Sequence, residues 1–188
     1  MHVDRKTCNL VIPLERAGGK KLYVHSTPVS REVYDRYWKV MGLAYTEVMG
    51  GPMRNIAHLV SMRALRDAAA ELGMADEVVA GLVEEIRRLT NVSALTEAGW
   101  QTLPLAQAIA AKLLDDEEAD EVENNVAFFT CFLHVSQRAI RDQMLDGLVK
   151  SLGAQISALN SWEHANSLRS STEGEPSGPK AQPASIPV

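Results

Sequence analysis

Seven carboxylates fall between Asp115 and Glu123, a density that invites a divalent-cation site because hard cations take several oxygen ligands. The spacing argues against one. No Asp-x-Asp-x-Asp-Gly loop is present, and acids at the opening of a helix are favoured by its dipole, so the run reads as a solvated helix start. Cys131 and His134, three apart, could reach one ion from a helix surface or act as nucleophile and base. Two ligands make no metal site, and no orienting third group or oxyanion loop is recognisable, so a packed thiol and an ordinary histidine are expected. Cys8, His25, His58 and His164 stand in no supporting spacing. Gly18-Gly19-Lys20 lacks the first glycine and the following Ser/Thr of a phosphate-cradling loop, and no Gly-x-Ser-x-Gly elbow occurs. These observations lead to the expectation of no catalytic, cofactor-binding or metal-binding residue.

What remains is a set of residues suited to touching other proteins. Met41, Met49, Met53, Met62 and Met74 concentrate in the first helical segments, where methionine serves either an irregular core or a permissive partner surface; core is the preferred reading. Tyr34, Tyr37, Trp38 and Tyr45 carry the same ambiguity, since aromatics with polar tips suit both places. Trp162 lies beside a polar tail with few neighbours in sequence to cover it. Tyr23, Tyr37, Trp38 and Trp162 are the expected partner-binding residues.

The elements that position these residues are read from periodicity. A chain of 188 residues with 46% hydrophobic content can close one sizeable core. Residues 9–14 and 22–26 read as a β-hairpin turning at Gly18-Gly19, and Pro13, unable to donate to a ladder, places that strand at an edge. Ser30 can cap a helix carrying Tyr34, Tyr37, Trp38, Met41, Tyr45, Val48 and Met49 on its apolar side. Gly50-Gly51-Pro52 stops it. A second helix then carries Ile56, Leu59, Val60, Leu65, Ala69 and Leu72 to Gly73, and a third, starting near Asp76, carries Val79, Leu82, Val83, Ile86 and Leu89.

Residues 90–103 break the helical period and are expected to form a loop with Trp100 pinned onto the core. A short helix follows over 104–114. The strongest stripe is Ala119, Val122, Val126, Phe129, Leu133, Ser136 and Ile140, a long amphipathic helix, continued or restarted through Leu145, Leu148, Leu152, Ile156 and Leu159. Asn160 and Glu163 have capping-box spacing for a last helix over 162–168. Ser, Pro, Gly and Glu then dominate residues 169–188, a composition expected to stay disordered. The expected architecture is mainly α: a multi-helix domain over residues 1–168 with an N-terminal β-hairpin at about 9–26, and a disordered Ser/Pro/Gly-rich C-terminal tail over 169–188.

A net charge of −5 with no concentrated basic patch argues against nucleic acid as a partner. No apolar run reaches the roughly 20 residues of a membrane span, and Met1 to Leu14 lacks the apolar core of a secretory leader, so a cytoplasmic protein that does not enter a membrane is expected. The widely spaced Cys8 and Cys131 fit reduced, buried thiols. An exposed hairpin edge and wide apolar helix faces point to self-association.

Three stretches carry a family resemblance: Tyr23-Val24-His25-Ser26-Thr27-Pro28-Val29-Ser30-Arg31-Glu32-Val33, Glu85-Ile86-Arg87-Arg88-Leu89-Thr90-Asn91-Val92, and Gly153-Ala154-Gln155-Ile156-Ser157-Ala158-Leu159-Asn160. Together with the ending through Ala184-Ser185-Ile186-Pro187, they resemble tail assembly chaperones of long-tailed bacteriophages, from about residue 9 into the tail. The resemblance implies a helical, non-enzymatic protein of the host cytoplasm that binds the tape measure protein and helps the major tail protein polymerise around it. It also implies absence from the mature virion. Such proteins are often made in a second form, extended by a ribosomal frameshift. The alternative from another class is a structural adaptor retained in the phage tail or neck.

Overall fold

Apolar residues recur at every second position in Leu10-Ile12-Leu14, Leu22-Val24 and Val92-Ala94, a period that sends all of them to one face of a pleated sheet. The computed structural model describes residues 1–16, 21–51, 54, 56–74, 76–96, 99–129, 138–152 and 156–172. In chain order the elements are β1 (His2–Asp4), β2 (Leu10–Glu15), β3 (Lys21–Ser26), α1 (Arg31–Gly50), α2 (Ala57–Glu71), α3 (Asp76–Arg88), β4 (Thr90–Thr96), β5 (Gly99–Pro104), α4 (Leu105–Ala110), α5 (Asp116–Val126), α6 (Arg138–Leu152), β6 (Ser157–Leu159) and α7 (Ser161–Thr172). The strands form one six-stranded sheet in the order β5-β4-β3-β2-β1-β6, antiparallel except for the parallel pair β1–β6.

The fold is therefore mixed α/β, which corrects the mainly helical expectation. The hairpin of β2 and β3 exists, but it lies inside the sheet, flanked by β4 on one side and β1 on the other. Pro13 is tolerated there because β1 reaches only as far as Val11, so no ladder runs beside Pro13 on that flank. Residues 90–103 are not a loop. Thr90, Val92 and Ala94 alternate with Asn91 and Ser93 and pair with β3 as a strand, and Trp100 on β5 stands opposite Leu95. The last positions of the stripe ending at Leu159 also become strand, since Ser157, Ala158 and Leu159 pair with His2, Val3 and Asp4.

Register aligns the apolar positions into rows. Val3, Leu10, Ser26 and Thr90 form one, Ile12, Val24, Val92 and Leu103 the next, and Leu14, Leu22 and Ala94 a third. All of these except the half-buried Leu103 are buried, and they join one core with Tyr37, Val40, Met41, Ala44 and Val48 of α1, Leu65, Ala68 and Ala69 of α2, Leu82 and Ile86 of α3, and Val122 and Val126 of α5. The two hydroxyls in the first row satisfy each other. Ser26 Oγ and Thr90 Oγ1 lie 2.9 Å apart, and Thr90 Oγ1 donates to the Ile86 carbonyl at 2.8 Å.

Helix ends follow the sequence signals more closely than helix faces do. Ser30 caps α1 by accepting from Val33 N at 3.3 Å, and α2 ends at Gly73, whose φ of +62° and backbone bond to the Ala70 carbonyl reverse the chain. The α2 face departs in part from expectation. Leu65 and Ala69 are buried and Val60 half-buried as expected, joined by Ala57, Met62, Ala64 and Ala68, whereas Ile56, Leu59 and Leu72 are exposed, because the α1–α2 and α2–α5 contacts admit small side chains. The long stripe from Ala119 holds as helix to Val126 and widens into a π-turn at Ala127–Phe129; residues 130–137, with Cys131, His134 and the rest of that stripe, lie outside the described residues.

Gly81 on α3 lies against the Tyr37 side chain of α1. A Cβ placed there would meet the Tyr37 hydroxyl at 2.8 Å, closer than carbon and oxygen tolerate, so α1 and α3 pack through this glycine. Alanine in a helix interior is worth about 1 kcal/mol over glycine. Gly81→Ala is thus expected to stabilise a Tyr37→Phe background by about that amount and to lose the gain, or destabilise, when Tyr37 keeps its hydroxyl. Urea denaturation of the four proteins of the cycle checks this. Equal effects in the two backgrounds would remove the contact.

Candidate functional site

The sheet face opposite the core mixes polar and apolar side chains, and its register builds the site. His2, Val11, His25 and Asn91 stand in one row across β1 to β4, with Pro13, Tyr23, Ser93 and Thr102 in the next. α7 lies on this face over β1 and β6. Its start is set as the spacing predicts: Asn160 Oδ1 accepts from Glu163 N at 2.9 Å, and Glu163 Oε2 accepts from Asn160 N at 3.0 Å, the reciprocal bonds of a capping box.

Asp4 ties this helix to the turn after β1. Its Oδ1, in a carboxylate only 2% exposed, accepts from Lys6 N, Thr7 N and Thr7 Oγ1 at 2.7–2.9 Å, and the Ser161 hydroxyl at the start of α7 bonds the same carboxylate. Burial pushes the Asp4 carboxyl up, but the hydrogen bonds from Thr7, Lys6 and Ser161 outweigh it and hold the group below its ordinary value. The neighbouring Cys8 is buried, with φ of +59°, and burial pushes its thiol up to about 11 despite Arg141 beside it. A thiol so poised stays protonated and unreactive at neutral pH, which fits the buried, reduced cysteine expected.

One turn into α7, His164 is 4% exposed. It borders a cleft of about 300 Å3 together with Asn9, His25, Thr27, Arg88, Asn91 and Leu168. Burial lowers the pKa of His2, His25 and His164, and a charge on His164 would lower the other two further, so all three imidazoles are neutral near pH 7. His2 Nδ1, His25 Nε2 and His164 Nε2 are buried and have no hydrogen-bond partner among the described residues. Sequence spacing held no signal for this cluster, because strand register and the return of the chain through α7 bring the three together.

The acidic run behaves as a helix start. Asp115 and Glu118 close a second capping box, Glu118 pairs with Arg16 after β2, and Glu123, 5% exposed, accepts from Arg87 Nε at 2.6 Å. No group of three or more His, Cys, Asp or Glu is arranged to hold a metal ion among the described residues. Gly18, Gly19 and Lys20 lie outside those residues.

The four expected partner-binding aromatics separate into two pairs. Tyr23 is buried with its ring 5.6 Å from that of Trp100, and Tyr37 is buried against α3. Trp38 is 53% and Trp162 74% exposed, so these two are free to meet another molecule. Trp38 leaves the core because the α1 face centres on Tyr37, Val40, Met41 and Ala44. No helix among the described residues is long and apolar enough to cross a membrane. Comparison with protein-family models, with curated proteins and with solved structures finds no match to this chain.

Asp4→Ala removes the acceptor of two backbone amides and is expected to destabilise the protein by about 1–3 kcal/mol, whereas Asp4→Asn, which keeps an oxygen at that place, loses less. Because the folded carboxyl titrates below its unfolded value, its contribution is complete above about pH 4 and disappears as pH falls through the folded pKa. Urea midpoints against pH for the two variants check both statements. A midpoint unchanged in Asp4→Ala contradicts them.

Proposed function

We propose that this chain is a non-catalytic tail assembly chaperone of a long-tailed bacteriophage, acting in the host cytoplasm. It binds the tape measure protein, assists the major tail protein to polymerise around it, and leaves before the virion matures. The resemblance of the three quoted stretches is the starting point. The observation that carries the reading is where they lie: the first and second pair as β3 and β4, with Thr27 N donating to the Leu89 carbonyl at 3.1 Å, and they meet at the cleft closed by the helix that follows the third. The first two resembling stretches are thus neighbours in the fold, whereas β6 of the third lies beyond β2 and β1 at the sheet edge and reaches the cleft only through α7.

Contact with an apolar client is supported by side chains the fold leaves in water. Trp162 on α7 and Leu95 on β4 are 74% and 58% exposed, and tryptophan is the side chain from which a protein interface gains most. A tape measure protein presents long apolar helical stripes before assembly, and such stripes are covered by surfaces offering large apolar side chains between charges. The net charge of −5 keeps the complex dispersed.

Co-expression with the tape measure protein of the same genome tests the reading. That protein is expected to be soluble and to co-purify only with this chain present. Trp162→Ala is expected to weaken the complex by about tenfold or more while leaving thermal stability unchanged, as suits an exposed anchor. Equal solubility without co-purification overturns the chaperone. Stoichiometric recovery of the chain from purified virions supports the structural adaptor instead.

A further inference from the structure

α7 closes over β1 and β6 with unpartnered imidazole nitrogens beneath it. Three imidazole nitrogens, one each on β1, β3 and α7, are sealed from solvent without a protein partner, and an unsatisfied buried polar group is unfavourable by about 1–3 kcal/mol. Against this stand the capping box, the Asp4–Ser161 hydrogen bond and the packing of Leu168 at the cleft. A helix of 12 residues near the chain's end, resting on unpartnered buried imidazoles, is an element expected to open on its own before the core does.

We infer that α7 is an acid-released clasp: protonation of the His2, His25 and His164 cluster lifts the helix from the sheet face and opens the cleft that Leu168 and His164 wall. The charged groups around the cluster decide the direction. His2 lies beside the Met1 amine on β1, His25 on β3 faces His164, and Arg88 at the end of α3 borders the same cleft. Two acids oppose this, Asp4, which favours a charge on His164, and Glu121, which favours one on the Met1 amine, yet burial outweighs both carboxylates. A second or third proton therefore enters a region already holding cations, and release into water relieves it.

The sign follows from linkage. Docked histidines titrate below the ordinary value of 6.5, released ones at it, so the docked state is unaffected above that pH and is lost progressively below it. Each histidine that stays neutral when docked shifts the balance toward release by about tenfold at a pH one unit under its free value.

Hydrogen exchange of the full chain, read by mass spectrometry at about pH 7.5 and about pH 5.5 and corrected for intrinsic exchange rates, tests the clasp, with peptides of α1 as the internal reference for the core. Protection of α7 is expected to fall by about tenfold or more at the lower pH while α1 is unchanged. His2→Gln and His25→Gln, at half-buried positions, are each expected to reduce that response severalfold, and His164→Gln to do the same if it folds. The inference is overturned by α7 keeping its protection at the lower pH, by α7 and α1 losing protection together, or by the two strand variants responding as fully as the parent chain.

Discussion

The whole arrangement depends on a single constraint: a pleated sheet has two faces, and this chain aligns its continuous apolar rows on only one of them. Strand register aligns Leu10, Ile12, Leu14, Leu22, Val24, Val92 and Ala94 on that face, and helices cover it. Burying a side chain of this kind contributes about 1.5–3 kcal/mol, so a shift of one residue in register would exchange an apolar row for a mixed one and is strongly disfavoured. The opposite face then receives a mixed set: His2, Asp4, His25, Asn91 and Ser93 beside Val11, Pro13 and Tyr23.

From that imbalance follow the features bearing on function. On the opposite face α7 lies over β1 and β6, resting on hydrogen bonds and on neutral imidazoles, while the core face is closed by several helices packed together. Large apolar side chains outside the core, among them Trp38, Leu95 and Trp162, remain in solvent. A protein whose firm half is its core and whose adjustable half is its surface suits a role in which partners are taken up and let go.

Much of the helical half was legible in the sequence. Ser30, Gly73 and the Asn160–Glu163 pair mark termini by local hydrogen bonding, which nearby residues alone decide. The sheet was legible only at its central hairpin. β4 was missed because Thr90 to Thr96 alternates small and polar residues with few large apolar ones, so its identity rests on pairing with β3, far away in sequence. β1 and β6 span three residues each, too few for any period, and exist through each other. The histidine cluster was hidden for the same reason: His2, His25 and His164 come together only once the sheet is assembled.

The most direct test is therefore of register across the two pairings that local sequence does not dictate. Nuclear Overhauser contacts between the backbones of β3 and β4 are predicted to join Leu22 with Ala94 and Val24 with Val92, and those between β1 and β6 to join Val3 with Ala158. Contacts displaced by one residue, or their absence with β4 behaving as coil, would contradict the one-sided sheet and everything built on it.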